Sequence, residues 1–165
     1  MIGTMLRHAL TEGLLWYNVL SLAIWFGGTI YQMLVIVPLW SAAPPQSVKS
    51  FFATSGYPQT INNFFGRRTQ ALRAIPLFLL PAAGWAYPGL RPWLVIPALT
   101  MGLALILTLA YIYPINDVLI FKAGGDLDAA SIERLSRKWI AADRLRLVIV
   151  TIGLIALLYA FHLPY

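Results

Sequence analysis

The chain has 165 residues, 59% of them hydrophobic and 11% charged, and its mean hydropathy is +0.73. Soluble domains keep roughly a quarter of their residues charged, so this composition excludes that class and points to an integral membrane protein. The absence of cysteine excludes disulfides, thiolate metal sites and cysteine nucleophiles. The formal net charge of +6 resides in clusters beside apolar windows, where anionic lipid headgroups are the natural counterions, and nucleic-acid binding is not expected.

A helix needs roughly 20 apolar residues to cross the hydrocarbon core, and windows at about 14–39, 71–88, 92–115 and 140–162 meet or approach that length. They predict an all-α, four-transmembrane-helix bundle forming one integral membrane domain over residues 1–165. The first window follows Arg7 and outlasts the roughly 7 to 15 apolar residues of a signal-peptide core, so it is expected to stay uncleaved despite the small residues Ser41, Ala42 and Ala43. Within it Asn18, Ser21, Trp25, Gly28 and Gln32 recur at helical spacing and share one face. That face suits either close helix packing or the wall of a polar cavity, with Asn18 and Gln32 as ligand-binding candidates.

The connection at 41–70 mixes Pro44, Pro45 and Pro58 with Phe51, Phe52, Ile61, Phe64 and Phe65, and is too apolar for a free linker. A short helix from Gln46 to about Ser55, a break at Gly56 to Pro58 and a second turn bearing Phe64 and Phe65 are predicted, either lying in the membrane interface or lidding a cytoplasmic cavity. The second window opens on Arg67, Arg68 and Arg73; of these Arg73 lies deepest and is a ligand-binding candidate. The third presents Thr100, Ala104, Thr108 and Tyr111 on one side, with Tyr111 as a further candidate. Pro114 is expected to end or kink it, and Asn116 and Asp117 either cap the next segment or join a buried network.

The helix of the fourth window is expected to start near Ser131. Asp143 and Arg146, three residues apart, face each other and can pair, and Trp139 shares their face. Ten of the twelve Lys and Arg residues fall in or beside the first and third connections (41–70 and 116–139). The positive-inside rule then places both connections in the cytoplasm and both chain ends outside. At an offset of 76 residues Pro38 falls on Pro114 and Arg68 on Arg144, a weak repeat consistent with two αα hairpins in parallel orientation. His8 and His162, near the outer helix ends, make an incomplete metal set, and no motif such as HExxH occurs, so no metal site is expected.

Three stretches carry a family resemblance: VPLW at the end of the first window, PIND after the third, and Trp139-x-x-x-Asp143-x-x-Arg146 opening the fourth. Together they resemble the anthrone oxygenase-like family of small four-helix membrane proteins, over nearly the whole chain. That likeness implies an oxidoreductase acting without a cofactor on an apolar aromatic or quinone-like molecule, with Asn116, Trp139 and Arg146 in a common polar site. Asp143 stands where such proteins often have His or Asn, and Leu147 where they often have Thr, so a base or metal-ligand role does not transfer to Asp143. Arg146, Asn116 and Asp143 are the expected catalytic residues, Arg146 stabilising an anion. The other classes left open are a non-enzymatic membrane subunit binding lipid or a small molecule, and a small transporter. The expected setting is a bacterial inner membrane, with lipids, a lipophilic ligand and a second copy of the chain as possible partners.

Overall fold

The computed structural model describes residues 2–163, which are helical and, among those described, contain no strand. α1 (Ile2–Tyr31) runs through a π turn at Gln32–Ile36 into α2 (Val37–Ser41). Two short helices, α3 (Gln46–Thr54) and α4 (Tyr57–Phe65), fill the first connection, and α5 (Arg67–Gly84) returns. α6 (Arg91–Leu107) continues through a second π turn at Thr108–Ile112 into α7 (Tyr113–Leu119), and α8 (Ala129–Ala160) comes last. α1 packs on α5, α5 on α6, α6 on α8 and α8 back on α1, so the four longest helices close a ring. Among the described residues, two stretches are long and apolar enough to cross a membrane, Gly3–Ser41 and Arg91–Leu119. Arg67, Arg68 and Arg73 interrupt the apolar character of α5; Asp143, Arg144 and Arg146 do the same in α8.

The two π turns have a common cause. Pro38 and Pro114 occupy the second positions of α2 and α7, and a proline both lacks an N–H and crowds the carbonyl four residues back. Widening the preceding turn by one residue relieves the crowding without breaking the helix. Accordingly Val37 donates to the carbonyl of Gln32, and Tyr113 to that of Thr108. The expectation that Pro114 ends the third helix is therefore corrected: the chain stays helical to Leu119. The starts of the two turns, Gln32 and Thr108, are 76 residues apart.

Prolines inside α5 act differently. Pro76 withholds the N–H that would satisfy the carbonyl of Leu72, and the Tyr17 hydroxyl of α1 donates to that carbonyl at 3.0 Å. At the next residue of α1, the Asn18 amide donates to the carbonyls of Leu14 and Pro76 at 2.7 and 3.3 Å. Between α6 and α8, a Cβ added to Gly153 would lie 2.5 Å from Thr100 Oγ1; only glycine allows the two helices so close.

The core has two apolar clusters. One, among the long helices, holds Leu15, Trp25, Leu77, Ala104, Met101 and Val150. The other gathers α2, α3, α4 and α7 around Trp40, Phe52, Ile61, Ile112, Trp139 and Ala142.

Candidate functional site

A polar layer separates the two clusters. Gln32 lies between Trp25 and Val37, Thr108 between Ala104 and Ile112, and Arg146 between Ala142 and Val150, each flanking pair drawn from the two clusters. Gln70 opens the same level on α5, and all four side chains are buried. Each long helix stretch thus buries one polar residue near the boundary of the two clusters, and Thr108 and Arg146 are in contact there.

Arg146 pairs through Nη2 with Asp143 Oδ1, and Nη1 lies 3.5 Å from Thr108 Oγ1. Arg146 is 2% exposed and Asp143 0%, yet Asp143 Oδ2 and Arg146 Nε have no partner among the described residues. A buried charge pair costs several kcal/mol of desolvation per ion unless the remaining lone pairs and protons are satisfied, so two unmet polar atoms in such a pair call for a ligand or water. The predicted Asp143–Arg146 pairing is present.

α4 is strapped across this layer at both ends. At its start, the Gln32 amide donates to the Tyr57 hydroxyl at 2.7 Å, leaving Gln32 Oε1 unpartnered among the described residues. At its end, where helix carbonyls lack intrahelical partners, Arg73 Nη1 donates to Phe64 O at 2.9 Å and the Tyr113 hydroxyl to Phe65 O at 2.7 Å. Arg73 thereby serves as the C-terminal cap of α4. Its guanidinium also stacks 4.6 Å above the Phe64 ring, and that of Arg146 stacks 5.1 Å from Phe65. Burial, with a further contribution from the Asp143 carboxylate, pushes the Tyr57 phenol well above its ordinary range. Tyr57 therefore stays neutral and retains its hydroxyl proton at physiological pH.

Between α4 and α1 lies a cavity of ≈ 530 Å³, walled mainly by Gly27, Gly28, Ile36, Ile61, Phe64 and Phe65, with Tyr31, Gln32, Tyr57 and Thr60 as its polar members. A Cβ at Gly28 would meet Phe64 at 2.4 Å. The Phe64 and Phe65 rings separate the cavity from the two stacked guanidiniums.

The other predicted residues divide. Trp139 donates through Nε1 to Asn116 Oδ1 at 2.6 Å, both side chains buried. This bond joins Asn116 to α8 through Trp139 rather than through Arg146. Asn116 lies inside α7 and caps nothing; the cap of α8 is Asp128, whose carboxylate accepts from the Ser131 N–H at 2.8 Å. Asn18 is buried but engaged with α5, outside the layer. Tyr111, 41% exposed, lines a separate shallow cleft with Lys138 and Leu145, because the π turn rotates it away from Thr108. His8 packs edge-on against Tyr87 at 6.4 Å, and the described residues contain no cluster of three His, Cys, Asp or Glu side chains.

Tyr57 and Gln70 were missed as site residues. The 76-residue offset contains the signal for one of them, since it sets Gln32 on Thr108 and Gln70 on Arg146. No protein-family model matches the chain, and no curated protein or solved structure matches it either.

Proposed function

We propose that this chain is a four-span membrane protein, with both ends outside, that binds an apolar aromatic or quinone-like molecule between α1 and α4 and oxidises it. The observation that carries this reading is the apolar cavity of ≈ 530 Å³ with Tyr57 and Gln32 on its wall and two guanidiniums behind its phenylalanines. Its size falls within the range of small-molecule sites, where a few placed polar groups orient an otherwise apolar ligand.

The four-span reading is supported by the outward residues of α5 and α8. Leu72, Ile75, Phe78 and Leu79 on one, and Val148, Ile152, Ile155 and Leu158 on the other, are all large, apolar and exposed. Water would not tolerate so continuous an apolar surface. The coincidence of both π turns with the 76-residue offset supports two hairpins of parallel orientation.

The resemblance to anthrone oxygenase-like proteins gives the chemistry. A ring methylene and one O₂ become a ring carbonyl and water. No cofactor is required in principle, because an electron-rich phenolate or enolate reacts with oxygen directly. Here the neutral Tyr57 hydroxyl would hold the ligand oxygen, and Arg146 would stabilise the anion electrostatically from behind the Phe65 ring. Asn116 and Trp139 position α7 against α8, and Asp143 holds the guanidinium in place.

Gly27 lines the cavity with open space at its Cβ position, so Gly27→Leu adds bulk at the cavity wall without distorting the fold. Native mass spectrometry of protein extracted from membranes should show a bound aromatic or quinone-like molecule in the wild type and none in Gly27→Leu, at equal thermal stability. Anthrone-dependent O₂ uptake should disappear in Gly27→Leu and in the neutral pair Asp143→Asn/Arg146→Gln. Phospholipid alone in every sample, with no O₂ uptake, refutes the oxidoreductase reading. It would favour a non-enzymatic subunit, for which the internally paired Asp143 and Arg146 are the supporting observation.

A further inference from the structure

We propose a second site, in which the groove between α5 and the α6–α7 stretch holds one glycerophospholipid by its phosphate and an acyl chain. It rests on the reading of α5 and α6 as spans, and is separate from the α1–α4 cavity. Three observations meet there.

The first is a polar cleft of ≈ 350 Å³ at the start of α5, lined by Asn62, Gly66, Arg67, Arg68, Tyr113, Asn116, Asp117 and Phe121. The first backbone bond of α5 runs from Gln70 N–H to Gly66 O, and Gly66 offers no side-chain cap. The preceding N–H groups are therefore free to bind an anion. A Cβ at Gly66 would come within 2.2 Å of Asn62 O, so glycine keeps the corner tight and this helix end open. Arg67 and Arg68 are exposed and form no ion pair among the described residues.

The second is Asn116, 7% exposed, whose carbonyl oxygen is occupied by Trp139. That bond fixes the amide orientation and leaves the Nδ2 donor without a hydrogen-bond partner among the described residues, on the wall of the cleft. The third is Gln70, 3% exposed, with both amide atoms likewise unpartnered. It lines a neighbouring cleft of ≈ 500 Å³ whose other walls are Ala71, Ala74, Leu105, Leu109 and Arg67.

Arg67 belongs to both clefts, so a polar pocket passes into an apolar groove at one side chain. The buried, unpartnered Gln70 amide at that junction would meet an ester group of a glycerophospholipid whose phosphate sat in the polar cleft. The phosphate would sit between Arg67, Arg68, the α5 N–H groups and Asn116, forked guanidinium bonds giving it direction. Asp117, on the same wall, would accept from a headgroup hydroxyl. A free phosphate satisfies the first cleft but leaves Gln70 and the apolar groove empty.

The test uses the full chain recovered from carbonate-washed membranes, so a failure of the spanning reading appears before any lipid is added. Native mass spectrometry in delipidating detergent then measures binding of phosphatidylglycerol and, separately, of glycerol 3-phosphate. One phosphatidylglycerol should bind saturably, with glycerol 3-phosphate at least tenfold weaker. Arg67→Gln/Arg68→Gln should weaken the lipid at least tenfold and Gln70→Leu severalfold, whereas Arg134→Gln/Arg144→Gln, which removes equal charge from exposed positions of α8, should not. Arg67→Lys/Arg68→Lys, which retains charge without the fork, is the companion variant should the Gln pair fail to insert, and should also weaken the lipid. Equal losses wherever charge is removed, equal affinity for glycerol 3-phosphate, or no saturable lipid overturns the proposal.

Discussion

Asp143 and Arg146 are the residues on which function and stability are hardest to separate. Removing one partner of a buried ion pair typically costs about 3–5 kcal/mol, whereas replacing both by apolar residues is often neutral or stabilising. Asp143→Ala should therefore lower stability in detergent by that amount, and Asp143→Leu/Arg146→Met should recover most of it, read by denaturant or thermal unfolding. Recovery would mean that a charged pair is not what the bundle needs at this position; no recovery would assign the pair to holding α8 against α6. At the start of α8, hydrogen bonds from Ser131 hold the Asp128 carboxyl below its ordinary range. With a depressed folded-state pKa, the cap is present above the unfolded value and is lost as pH falls through the folded one. Protection of the Ser131 amide, relative to its intrinsic exchange rate, should fall only below the ordinary aspartate value of about 3.9 in the wild type and show no such step in Asp128→Asn.

Among the elements, the α6–α8 contact depends on Gly153 standing 2.5 Å from Thr100 Oγ1 by its missing Cβ. Gly153→Leu should separate these helices and destabilise the protein by about 1–3 kcal/mol, while Gly27→Leu, on open space, should not; thermal unfolding of the two side by side checks the difference. α4 shows how far sequence reaches at this scale. A break near Gly56 and the aromatic end at Phe64 and Phe65 are readable from residue type, although the break falls at Ser55 and Gly56, and Tyr57 and Pro58 already open the helix. Its clamping by Gln32, Arg73 and Tyr113 is not, because those partners come from three other helix stretches. Arg73 illustrates the cost: depth in an apolar span suggests a ligand role, but two free carbonyls at the end of α4 claim the guanidinium and the Tyr113 hydroxyl.

For the molecule as a whole, orientation is the sharpest untried consequence of the charge distribution. The chain has no cysteine, so single substitutions report without background. A cysteine at Gly89, between α5 and α6, should react with an impermeant maleimide added to intact cells. One at Gly125, between α7 and α8, should react only after the membrane is opened. The reverse pattern, or equal labelling, would refute the four-span, ends-out arrangement.

Helical class, helix order and the pairing of Asp143 with Arg146 were legible in the chain itself, since hydropathy windows, prolines and i, i+3 spacing act locally. So was the inward, polar character of Gln32 and of Arg146, as each interrupts an apolar run. The tertiary structure alone decided that Tyr111 turns outward, that Asn116 bonds Trp139 rather than capping, and that Tyr57 and Gln70 reach the polar level. The physical reason is that a π turn displaces every later side chain around the helix by a fraction of a turn, and a hydrogen bond between residues distant in sequence leaves no periodic trace. Which unpaired donors and acceptors remain in the interior is fixed only when the four long helices close their ring.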